Sequence, residues 1–297
     1  MRRILLGALS ALGILTASTA GAQLIPHELL TEDRAGAIAL TPEMLEVRLG
    51  DLLAECRAAP DPDGIPEDGA HVTCALLEGL VHGFSEELEP ARLRFSAALD
   101  NLEQRGDHLG IAFVHFLAAE VERQSGDSER AGEAYDRVFL ALDAAAASKT
   151  IQLDTFELFF RLQGMPPGAV DQFRQVAQFA KPMIVSSFEV AMRMGYAKWL
   201  GQSGSPERAI VQLEGALEQT RGHLFGLMDA DVLNELSRWH FKAEHFETVR
   251  TLAAEAITSA ERMGNTELID RILWRKANAE RSLGLWPEAI ATLEDAL

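Results

Sequence analysis

Cysteine is nearly absent from this 297-residue chain, with Cys56 and Cys74 the only two. They lack C-x-x-C spacing, which argues against a redox-active thiol pair. Basic residues are scarce beside acids, 27 Lys and Arg against 45 Asp and Glu, for a formal charge of −18. A surface this acidic is repelled by phosphate backbones, so nucleic acid is not the expected partner. There is no H-E-x-x-H metal motif and no phosphate-cradling glycine loop. Beyond the N-terminus, no apolar run is long enough to span a membrane. What remains is a chain with 47% hydrophobic residues, enough to build a packed core.

The N-terminus points to export. Met1-Arg2-Arg3 is positive, Ile4 to Thr16 is uncharged and apolar, and Ala20-Gly21-Ala22 has small-x-small spacing. This layout predicts a signal peptide over residues 1–22, cleaved after Ala22. The apolar stretch of 13 residues falls short of the roughly 20 that cross a bilayer. No cysteine follows the cleavage site to carry a lipid. The mature chain is therefore expected to be periplasmic or secreted and not membrane-inserted, with its formal charge moved to −20.

Export in turn predicts a disulfide. Thr41-Pro42 opens a helix whose one face carries Leu45, Leu49, Leu52, Leu53 and Cys56. A second helix presents Cys74, Leu77, Val81 and Phe84, after a loop rich in Pro, Gly and Asp. A Cys56–Cys74 bridge would join the two apolar faces. The expected organisation is a signal peptide over 1–22, an N-terminal segment with one helix over 23–68, and a helical repeat domain over 69–297.

The repeat shows first in an echoed phrase, QSGDSERA at Gln124–Ala131 and QSGSPERA at Gln202–Ala209. Taking Ala131 and Ala209 as markers adds Ala91, Ala169, Val249 and Ala289, at steps of 40, 38, 40, 40 and 40. Such a period means stacked helix pairs sharing one core. Four residues after the markers come Phe95, Tyr135, Phe173, Leu213, Ala253 and Leu293; three further are Ala98, Val138, Val176, Ala216, Ala256 and Ala296. Twelve before the markers lie Gly79, Ala119, Glu157, Ala197, Ser237 and Ala277. Small residues let helices approach and bulky ones fill the next groove. Five before, Gly126, Gly164, Gly204 and Gly284 can end a helix in the left-handed region. Glu89, Glu129, Glu207 and Glu247 then open the following helix, where they favour its dipole.

From about residue 70 onward these residues resemble the tetratricopeptide repeat (TPR), in its longer, roughly 40-residue variant. The repeat-ending proline is missing. The usual aromatic nine residues before the marker survives only as Phe160, with His82, Glu122, Leu200, His240 and Glu280 in the other slots. The resemblance implies an all-α, right-handed α-solenoid of about six helical hairpins, preceded by one N-terminal helix. It also implies a scaffold, not an enzyme, that holds a protein or peptide partner in a concave groove. Carried over from the family, the groove positions are Lys198, Asn234, Arg238, Lys242, Arg271, Trp274, Asn278 and Arg281, with Arg275 beside them. Segment Asp270–Arg281 holds four basic and two acidic residues, a local excess of cations in an acidic chain. A solvated face would account for the same charges. So an enzymatic or small-ligand-binding repeat protein, or a self-assembling array, stands as the alternative.

Other features have plainer readings. His108 and His115, and His240 and His245, lack helical ligand spacing, so no metal or cofactor is expected. Asp61-Pro62-Asp63-Gly64 lacks the closing carboxylate of a calcium loop and reads as a turn. Gly201-Gln202-Ser203-Gly204 resembles a nucleophile turn but repeats Gln124–Gly126 as a connection. Trp199 and Trp239 share one repeat position and belong to core or groove wall. The last helix carries Ala289, Ile290, Leu293, Ala296 and Leu297 on one side. That strip, through Ile290, Leu293 and Leu297, is expected to dock a partner or a second copy of the chain.

Overall fold

The computed structural model describes residues 42–58, 70–149, 152, 177–223, 226 and 228–295. Residues 1–22, Thr41, the turn at 61–64, Ala169 with its neighbours Glu157, Phe160, Gly164, Phe173 and Val176, and Ala296 and Leu297 lie outside them. Among the described residues there are eleven α-helices and no strand, so the described part of the chain is all-α.

Two compact units divide the chain, one over Leu24–Val185 and the other over Ser186–Leu297. The first holds α1 (Pro42–Ala58), α2 (Ala70–Phe84), α3 (Leu88–Arg105), α4 (His108–Ser125) and α5 (Ser128–Ala147). The boundary falls within α6 (Lys181–Gln202). The second holds the rest of α6, then α7 (Pro206–His223), α8 (Asp229–Lys242), α9 (Phe246–Met263), α10 (Thr266–Ser282) and α11 (Trp286–Glu294). From α1 to α5, and from α7 to α11, each helix packs on the next, and α8 also touches α10. None of the described helices is long and apolar enough to cross a membrane.

The turns follow the 40-residue period. Five residues before the marker, the backbone is left-handed at Glu86, Gly126, Gly204, Glu244 and Gly284, with φ of 63°, 85°, 83°, 63° and 77°. The next residue then donates its N–H back across the helix end. Glu87 bonds the carbonyl of His82, Asp127 that of Glu122, Ser205 that of Leu200, His245 that of His240 and Leu285 that of Glu280. This six-to-one bond satisfies a carbonyl that the ending helix leaves open. Two of the five positions hold glutamate, which has a Cβ and gains nothing from the left-handed region.

The core occupies the remaining register positions. Ala91, Ala131, Ala209 and Val249 are fully buried, as are Tyr135, Leu213, Ala253, Ala98, Val138, Ala216 and Ala256. Gly79 is small because the Phe95 ring lies where a Cβ would be, 2.7 Å from it. Gly201 is open to the Trp239 ring in the same way. Burying a side chain such as Tyr135 or Phe95 contributes roughly 2–3 kcal/mol by area. Near the N-terminus, Leu49, Leu52 and Leu53 are buried, and a Cys56–Cys74 disulfide with a Cα–Cα distance of 5.7 Å ties α1 to α2.

Two buried glutamates occupy the same register position, four periods apart. Glu122 on α4 accepts from Arg92 of α3 at Nε (2.6 Å) and Nη2 (2.5 Å), while Arg92 also holds Glu89. Glu280 on α10 pairs with Arg250 of α9 at 3.7 Å, and Arg250 also holds Glu247 at 3.0 Å. In register these are the same three positions. The Glu122 hydrogen bond raises the Arg92 guanidinium above its already high range, against the opposing effect of burial.

Candidate functional site

The basic face lies on α8 and α10, brought together by Arg275. Its Nη1 donates to the Asn234 carbonyl and side-chain oxygen, both at 2.8 Å, and to Ser237 Oγ at 2.7 Å. Ser237 is a small position of the period and fully buried, so the guanidinium reaches deep between the two helices. Asn234 and Arg275, read from sequence as groove residues, are thus spent largely on each other. Burial pushes the Arg275 guanidinium down from its usual value, and nearby Arg238 and Arg271 push the same way against Glu235.

Around this clasp sits the accessible set. Arg238 lies 5.0 Å over the Trp239 ring and pairs with Glu235 at 3.3 Å. Trp239 itself is buried, in keeping with a core or wall residue. Arg271, Arg281, Lys242 and Lys198 are exposed, and Trp274 is 64% exposed. Asn278 donates to the Trp274 carbonyl at 2.8 Å, an intrahelical bond. Burial raises the Asp231 carboxyl above its ordinary value, Arg271 opposes that shift and Glu235 adds to it. Arg238 and Arg271, with exposed Trp274 on the same helix as Arg271, leave guanidinium groups that carboxylates can approach, while Arg275 is turned inward. No group of three or more metal-ligating side chains comes together among the described residues.

No family model matches this chain, and no curated protein matches it.

The remaining sequence candidates are placed as follows. His115 is buried, and desolvation with Arg137 nearby lowers it to about 4. Trp199 stacks on Tyr196, centroids 5.5 Å apart. Ile290 and Leu293 are 58% and 44% exposed, beside exposed Trp286; Leu297 lies outside the described residues. Two arrangements escaped the sequence. One is the Arg–Glu junction, whose signal was present: Arg92 and Arg250 follow their markers by one residue, and Glu122 and Glu280 take the usual aromatic slot one period on. The other is a contact between His240 and His245, whose Nδ1 atoms approach to 3.1 Å across a turn instead of along a helix.

Proposed function

We propose that this chain is an exported, tetratricopeptide-like α-solenoid of about six helical hairpins, a binding scaffold and not an enzyme. It holds an acidic segment of a protein or peptide partner against α8 and α10. The observation that carries the reading is the guanidinium cluster of Arg238, Arg271 and Arg275 with exposed Trp274. Glu235 and Asp231 already offset part of the repulsion among these cations, and a partner's carboxylate would offset more of it. Support for the architecture comes from the left-handed turns at Glu86, Gly126, Gly204, Glu244 and Gly284, and from the buried small residues in register with them. The Cys56–Cys74 disulfide suits an oxidising compartment.

The test is capture of a partner from envelope extracts by the wild-type chain and by an Arg238→Glu/Arg271→Glu variant. Arg275 is left alone because it joins α8 to α10. Charge reversal should abolish capture, and added salt should weaken it, since exposed charges act largely through salt-sensitive association. Capture indifferent to both would leave these side chains as solvated surface.

A further inference from the structure

His240 lies in the last turn of α8 and His245 is the residue immediately before α9. Their backbones are locked together by the recurring turn, with the N–H of His245 on the carbonyl of His240 at 2.9 Å. The side chains fold over the same turn until the two Nδ1 atoms stand 3.1 Å apart, with ring planes inclined by 49°. Two ring nitrogens can face each other at this distance in two ways. One of them donates a proton to the other, or both direct lone pairs at a shared cation.

Three features favour the cation. First, His245 Nε2 lies 3.7 Å from Glu207 Oε1 at the start of α7. That separation is longer than a hydrogen bond, but a carboxylate facing Nε2 favours the tautomer with its proton on that side, which leaves Nδ1 as the lone-pair nitrogen. Second, the spacing fits: metal–nitrogen bonds of about 2.0–2.1 Å span nitrogens 3.1 Å apart at an angle of about 100°. Third, carboxylates flank the pair, with Glu244 next to His245 in the chain and Glu207 facing its ring.

We propose that the α8–α9 turn binds one divalent first-row transition ion, of the zinc, nickel or copper type, between His240 Nδ1 and His245 Nδ1. The chain supplies two nitrogens and one orienting carboxylate, and water fills the other positions. Imidazole ligands suit these ions and exclude calcium and magnesium, which demand oxygen. Bound there, the ion clips the end of α8 to the start of α9 in place of a proton.

Zinc titrated into the metal-free full chain by calorimetry should bind at one site per chain, and calcium should not. His240→Gln and His245→Asn should each weaken zinc at least tenfold. Asparagine is a favoured residue before a helix, so the second change keeps the turn while removing the imidazole. Independently of any variant, zinc should protect His240 and His245 of the wild-type chain from acylation by diethyl pyrocarbonate, mapped by mass spectrometry. Equal zinc binding by the wild-type and both variant chains, or unchanged labelling of the two histidines at saturating zinc, would overturn the site.

Discussion

Replacing Arg92 by valine and Glu122 by leucine, singly and together, isolates the junction between α3 and α4. The Glu122 side chain is only 9% exposed, against 25% for Arg92. Removing the arginine strands a carboxylate that cannot reach water. Breaking a buried pair from one side costs about 3–5 kcal/mol, and partial access at Arg92 places this case near ~3 kcal/mol. Removing the glutamate leaves a long cation that can still turn to solvent and to exposed Glu89, for ~1 kcal/mol. Replacing both inserts the apolar combination that the chain carries at the same register positions as Val170 and Leu200. Hydrophobic replacement of a whole buried pair is often neutral, so the double variant should lie within ~1 kcal/mol of wild type. Urea unfolding followed by far-UV circular dichroism would then give a coupling of about 3–5 kcal/mol. Additive single effects, with coupling below ~0.5 kcal/mol, would refute the claim that Arg92 and Glu122 act as a unit.

The remaining predictions are briefer. Glu86→Gly and Glu244→Gly relieve left-handed backbone at φ 63° and should each raise stability by ~0.5–1 kcal/mol after the glycine's own entropy cost; an unchanged urea midpoint would count against strain there. His115 is held neutral, at about 4 in the folded state against ~6.5 unfolded. The unfolded chain therefore binds the extra proton, and stability present above pH ~6.5 is lost as pH falls toward 4, by about 2 kcal/mol once residual solvent contact is allowed for. His115→Leu should flatten that part of the pH profile, and an unaltered slope would exclude His115 as its source. Reducing the Cys56–Cys74 bridge, which spans a sequence separation of 18, should cost ~3 kcal/mol; no shift of the unfolding midpoint in dithiothreitol would contradict this.

Much of the local structure was legible because the period records which positions must be small. Ala91, Ala131, Ala209 and their partners could be assigned to the core because one missing methyl group or one extra would be felt at each crossing. Glycine likewise marked the left-handed turn at Gly126, Gly204 and Gly284. It could not mark Glu86 and Glu244, where the six-to-one hydrogen bond and the packing of both helices impose the same backbone on an ill-suited residue. The basic face was half legible. Charge density singled out segment Asp270–Arg281, but nothing in a linear reading separates Arg275, drawn inward by the oxygens of Asn234 and Ser237, from exposed Arg271 and Arg281. The contact of His240 with His245 was hidden for a related reason. Helical spacing rules stop at a helix end, where the chain reverses and brings residues five apart face to face.

The Arg–Glu junctions bear on how such a chain can change over time. A buried glutamate in the slot one period on needs the arginine that faces it, as Glu122 has Arg92 at hydrogen-bond distance and Glu280 has Arg250 at 3.7 Å. The positions equivalent to Arg92 are Gly132, Val170 and Ile210 elsewhere, each followed one period on by a residue other than glutamate. Cutting out one period, or copying it to a new place, would set an arginine against an apolar slot or a glutamate against an apolar face. The glutamate would then be a stranded buried charge, whereas the arginine could turn to solvent at smaller cost. The junctions therefore penalise reordering of the segments, because a moved period keeps its stability only where each buried glutamate keeps its arginine.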